Sequence, residues 1–126
     1  MKSIIFTVEK TDTGYSAYAK DYPVFTVGAS MKELKRNMLD AINTWMEHKE
    51  KPAVKMSQIE VRLDLPQLFR YYKEINAKAI GHRIGMNNTL LSQYINGKKT
   101  PSRRQAEKIV SAIRELGNEL AGIELR

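Results

Sequence analysis

The hydrophobic pattern of this chain changes period once, at about Leu63, and that change limits the fold more than any other feature. Before it, apolar residues alternate with polar ones, as a sheet with one buried face requires. After it they recur at spacings of three and four, as amphipathic helices require. In the first half Ile4, Phe6 and Val8 mark a strand. The turn cluster Thr11-Asp12-Thr13-Gly14 follows, and residues 15–19 alternate again, which makes an antiparallel hairpin. Asp21-Tyr22-Pro23 interrupts the pattern, because proline cannot donate to a ladder. A third short strand covers 24–27 and closes at Gly28. Ser30 then has the place of a helix N-cap, with Glu33 completing a capping box. Met31, Leu34, Met38, Ile42 and Trp45 form one stripe of a helix running to about His48. That stripe reads as core packed on a sheet, not as a cofactor site. Residues 58–63 alternate as a fourth strand, and a helical crossover favours parallel pairing for it. The order is β-β-β-α-β and then helices only. This is an α+β chain with one domain over 1–63 and an all-α domain over 64–126.

In the second half Leu65-Pro66 opens a helix with Leu65, Leu68, Phe69 and Tyr72 on its apolar face. A short helix over 77–85 turns Ile80 and Ile84 inward. Gly81 allows a close crossing, and Gly85 ends the helix in the left-handed region. Asn87 or Asn88 caps a third helix, 88–96, with Leu91 and Tyr94 or Ile95 facing the core. Gly97 ends it. Thr100-Pro101-Ser102 starts a fourth helix that carries Ala106, Ile109, Val110, Ile113 and Leu116 inward and is expected to stop at Gly117. Two short helices joined by a glycine-containing turn are a helix-turn-helix.

Charge singles out the same place. Residues 1–63 hold ten basic and eight acidic side chains, while 64–126 hold eleven and six. Between residues 78 and 108 there are seven basic side chains and one acid, Glu107, so six of the seven net positive charges of the chain fall there. A concentrated basic segment suits phosphates, because each neutralised phosphate releases counterions. In a helix-turn-helix the second helix enters the major groove. The expected base-reading residues are Asn87, Asn88, Thr89, Ser92, Gln93 and Asn96, with Gln93 and Asn88 foremost, since Asn and Gln can bond adenine at two points. Lys98, Lys99, Ser102, Arg103 and Arg104 are the expected phosphate contacts.

Other chemistries find little support. The chain has no cysteine, which excludes disulfides, thiolate nucleophiles and Cys-ligated metals. His48 and His82 have no acidic partners at ligand spacing, and Glu9, Asp12 and Asp40 form no convergent set for a metal-dependent nuclease. No enzyme, metal or cofactor is expected. A single-strand RNA module would want aromatics on the basic stretch. No apolar run nears the roughly 18 residues of a membrane span, and the N-terminus from Met1 lacks the apolar core of a signal peptide. The expected location is the cytoplasm.

Several short motifs carry a family resemblance: Gly14-Tyr15, then Asp21-Tyr22-Pro23, then Gly28, Ser30 and Glu33. With the helix-turn-helix behind them, the chain resembles a HicB-type antitoxin over nearly its whole length. Val24 replaces the family's Gly after the Pro, and Ala29-Ser30 its Asp-Thr. The resemblance implies a partial RNase H-like N-terminal domain that masks a small mRNA-cleaving toxin of the HicA type. It also implies a Cro/phage-repressor-type second domain that binds operator DNA, represses its own operon and works as a homodimer or higher homo-oligomer. The toxin contacts are not readable; Tyr22 and Phe25 read as core or rim packing. The rival reading is a helix-turn-helix regulator whose N-terminal domain senses a ligand or only oligomerises. The apolar residues of the tail over 119–126 suit either an interface or a cap on the last helix.

Overall fold

The computed structural model describes residues 3–125; Met1, Lys2 and Arg126, on which the N-terminal reading and the end of the tail depend, lie outside them. The chain is mixed α+β, and it divides into two compact units, the first ending at Leu68 and the second starting at Phe69.

The first unit holds a four-stranded sheet in the order β3-β2-β1-β4. Strands β1 (Ile4–Thr11) and β2 (Gly14–Ala19) form the expected hairpin, with Phe6 opposite Ala19 and Thr11 opposite Gly14. Strand β3 (Phe25–Gly28) pairs antiparallel with β2. Strand β4 (Ile59–Leu63), which follows one 3-10 turn at Met56–Gln58, pairs parallel with β1. Helix α1 (Met31–His48) makes that crossover possible. Its cap is Ser30, whose hydroxyl accepts from the Glu33 N–H at 3.2 Å. The Glu33 carboxylate reaches back one residue further than a standard box, to the Ala29 N–H at 3.1 Å.

Alternation decides which face is buried. Ile4, Phe6 and Val8 of β1 and Ala17 and Ala19 of β2 meet Leu34, Met38, Ile42 and Met46 of α1, and all nine are buried. Each large side chain in such a core contributes about 1.5–3 kcal/mol by leaving water. Trp45, placed by spacing in the stripe, sits at its margin and stacks edge-on against Tyr22 at 5.1 Å. Phe25 departs from expectation: it is 63% exposed, with Val27 and Tyr18 also exposed. These three alternate away from α1, which covers only one face of the sheet.

Helix α2 (Leu65–Tyr71) starts where the sheet ends. Asp64, not singled out by pattern, caps it by accepting from the Gln67 N–H at 3.1 Å. Gln67 in turn bonds both backbone groups of Lys10, at 2.9 and 2.7 Å, which pins the first turn of α2 to β1.

The second unit contains α3 (Ala77–Ile84), α4 (Asn88–Ile95) and α5 (Arg103–Ala121). Asn76 caps α3, and Gly85 ends it at φ 66°. At that angle a Cβ would be strained, so glycine serves. Ile80, Gly81, Leu91, Tyr94, Ile109 and Ala112 form the buried centre. A Cβ on Gly81 would sit 3.0 Å from Leu91 Cδ2, so the bare backbone permits the crossing of α3 and α4. The last helix corrects the sequence reading. It passes through Gly117 and ends at Ala121, with Gly122 as its cap. Beyond Gly117 the helix continues one more turn, where Glu119 pairs with Arg83 of α3. An interior glycine costs only roughly 1 kcal/mol, so it need not end a helix. No helix among the described residues is long and apolar enough to cross a membrane.

Candidate nucleic-acid interface

The turn between α3 and α4 gives α4 its direction. After Gly85 the Met86 N–H returns to the Gly81 carbonyl at 3.0 Å, which closes the end of α3. Asn87 then caps α4: its Oδ1 accepts from the Thr89 and Leu90 N–H groups at 2.8 and 3.2 Å. That resolves the choice of cap in favour of Asn87, and it ties this side chain's oxygen to the backbone. Asn88, at the first helical position, is exposed.

With Leu91 and Tyr94 buried, the opposite side of α4 carries Thr89, Ser92 and Asn96, all exposed. Asn96 donates to the Ser92 hydroxyl at 3.3 Å, so the two present themselves as a pair. Gln93 is half-buried and lies at the flank of this face. The structure thus groups Asn88, Thr89, Ser92 and Asn96 on one uncharged polar surface, with Gln93 at its edge and Asn87 at its base.

Beyond α4, Gly97 adopts φ 78°, and the chain reverses through Lys98 and Lys99 to Ser102. Ser102 caps α5 by accepting from the Gln105 N–H at 3.2 Å. One N–H at this helix start is therefore already used, although the hydroxyl can still donate. Lys98, Lys99, Arg103 and Arg104 are exposed. Arg103 touches Glu107 one turn on, Nε to Oε1 at 3.2 Å, with both side chains largely in water. Such a pair is weak and leaves the guanidinium open to a phosphate.

One basic residue of the segment 78–108 is paired within its own unit. Arg83 is held end-on by Glu119, with its two terminal nitrogens 2.7 and 3.0 Å from the two carboxylate oxygens. The partners lie 36 residues apart, and no local pattern announces them. The Arg83 hydrogen bond holds the Glu119 carboxyl below the usual carboxylate range, and the same contact raises Arg83. A carboxylate shifted down adds stability above its unfolded pKa and loses it as the pH falls through the folded one. We expect amide exchange over the last turn of α5 to quicken relative to the intrinsic rate, that is, protection to fall, on acidification below about 4.3, the ordinary Glu value. Glu119→Gln should show that faster exchange already at neutral pH, with no acid step. An acid step that persists in the variant would assign the effect elsewhere.

No family model and no solved structure matches the chain. A protein of Archaeoglobus fulgidus described as a UPF0150 protein is 43% identical over 49 residues, which span 39% of this chain and 74% of that relative. With three quarters of the relative matched at that identity, the chain belongs to the UPF0150 family.

Proposed function

We propose that the protein is the antitoxin of a type II toxin–antitoxin pair, acting as a cytoplasmic repressor of its own operon. The observation that carries the reading is membership of UPF0150, a HicB-like family, in a chain that also has a glycine-turned helix pair bearing a polar, base-sized face. The residues up to about 63 form the toxin-binding, partial RNase H-like domain. Those from 64 onward form the DNA-binding and dimerisation domain. The partner of the first is a small mRNA-cleaving protein of the HicA type. The partner of the second is duplex operator DNA, bound by a homodimer whose half-sites lie about 34–36 Å apart. Bases are read from the face of α4, and phosphates are held by Lys98, Lys99, Ser102, Arg103 and Arg104. The protein binds and represses; it has no catalytic role.

The test is co-expression with the adjoining reading frames. A small basic protein that co-purifies, and that is toxic when expressed alone, supports the reading. A harmless neighbour that does not bind overturns it. A second reading, a regulator whose first domain senses a small molecule, has one observation in its favour: an open groove of about 550 Å³ lined by Pro23, Phe25, Trp45 and His48 among others. The same experiment separates the two.

Base reading and phosphate holding also separate by mutation. Gln93→Ala should cost about 1–3 kcal/mol and relax preference at one base pair, whereas Lys99→Ala should weaken all sequences alike. Operator selection from a random library checks both. An unchanged base preference in Gln93→Ala would remove Gln93 from the reading face.

A further inference from the structure

The sheet of the first unit ends on one side at β3, and the outer edge of that strand is open. The Ala19 N–H bonds the Val24 carbonyl at 2.9 Å. Bonded pairs alternate along an antiparallel ladder, so the N–H and C=O groups of Phe25 and Val27 point away from β2. The Val27 carbonyl accepts from the Asn37 amide at 2.7 Å, and the other three groups have no partner among the described residues. Native edge strands are usually guarded by charge or proline. Strand β3 has neither, and its Phe25 and Val27 side chains are exposed. On the α1 side of the same edge runs the open groove of about 550 Å³, lined by Pro23, Phe25, Ala41, Thr44, Trp45 and His48. Charge around it is sorted. A helix turns about 100° per residue, which places Asp40 and Glu47 one turn before and after Thr44, beside the groove. Lys32, Lys35 and Arg36 lie farther round the helix. Asp40 and Glu47 are exposed, and neither makes an ion pair among the described residues. Lys51 lies over the Trp45 ring at 5.3 Å, at the last turn of α1.

We propose that a partner protein docks here by adding one extended, basic segment to the outer edge of β3. Its backbone pairs with Phe25 and Val27, and its alternate side chains then fall on opposite faces of the sheet. Those on one face enter the groove against Ala41 and Trp45. Those on the other lie beside Phe25 and Val27, so both sets are apolar. Basic residues next to the groove meet Asp40 and Glu47. A second copy of this chain is the poorer occupant, because β3 carries no basic residue to set against those carboxylates. The inference rests on the toxin-binding reading of the first domain and gives that partner its place.

The probe is the product of the adjoining reading frame, bound to the full-length protein. In the complex, exchange of the Phe25 and Val27 amides should slow about 10-fold or more, while amides on the outer edge of β4 keep their rates. Phe25→Ser should weaken binding about 10- to 30-fold, the effect of an aromatic at the centre of an interface. Asp40→Lys combined with Glu47→Lys should slow association about 10-fold at low salt, whereas Lys35→Gln should stay within about 2-fold. All four side chains are exposed, so the fold survives these changes, which circular dichroism checks. A probe that binds while the Phe25 and Val27 amides stay unprotected overturns the edge site and leaves the toxin reading standing. So does a Phe25→Ser variant that binds as tightly as the wild type. Protection of the same amides on concentrating the free protein alone puts a second copy there and also overturns the proposal. A wild type that does not bind the probe overturns both.

Discussion

Gly28→Ala is expected to destabilise the sheet unit by about 3 kcal/mol or more, at or beyond the top of the overpacking range. Gly28 ends β3, is buried, and lies directly under the first turn of α1. A Cβ there would sit 2.5 Å from the Leu34 nitrogen and 2.7 Å from its Cα. Those are backbone atoms of a helix whose Leu34, Met38 and Ile42 are wholly buried. A side chain could rotate away; a helix backbone moves only by pulling its stripe off the sheet. A loss of that size lowers the melting temperature of a small domain by about 12 °C or more. Two other glycines test the cause. Gly117→Ala meets nothing within 4 Å and stands inside a helix, so it should stabilise by about 1 kcal/mol. Gly85→Ala also meets nothing, but it must hold φ 66°, which costs about 1–2 kcal/mol. Melting temperatures should rank Gly117→Ala above Gly85→Ala and Gly85→Ala above Gly28→Ala. A neutral Gly28→Ala would mean that α1 does not rest on β3 as described.

What could be read in advance depended on how far apart in sequence the interacting groups stand. The strands, the β1–β2 hairpin and the short helices α3 and α4 with the glycine turn between them come from alternation, a three- to four-residue stripe and glycine-bearing turns, all local signals. The stripe of α1 was legible, but its margin was not: Met46 is buried and Trp45 turns toward Tyr22, because the sheet and the loop before β3 decide which edge is covered. Phe25 reads as packing until the sheet is seen to have a helix on one face only. The stop expected at Gly117 fails for a related reason. A glycine ends a helix when the chain beyond it has nothing to gain from helical geometry, and here Glu119 gains its pairing with Arg83 of α3. At the candidate interface the polar face of α4 was legible from composition and spacing. The choice of Asn87 over Asn88 as the cap was not, and nor was the pairing of Arg83 with Glu119, which depends on where α5 lies.

Replacing Lys98, Lys99, Arg103 and Arg104 together by Gln should nearly abolish DNA binding at physiological salt. Each lost phosphate contact removes about 0.9 from the slope of log affinity against log salt, so the four together remove roughly 3.6. Between 50 and 200 mM salt the wild type should therefore lose roughly 150-fold more affinity than the variant loses. The four side chains are exposed and belong to no core, so the loss should occur without unfolding. Of the four, only Arg103 has a side-chain partner among the described residues, Glu107, and that pair is too exposed to hold it from a phosphate. The polar face of α4 is untouched, so whatever sequence preference survives at low salt should be the preference of the wild type. That combination, a collapsed salt slope with an intact base preference, is specific to phosphate contacts. A helix displaced by misfolding would lose both, and a merely solvated cluster would lose neither. A variant that keeps the wild-type slope would show that the basic segment does not face DNA, and the charge concentrated between residues 78 and 108 would then need another anionic partner.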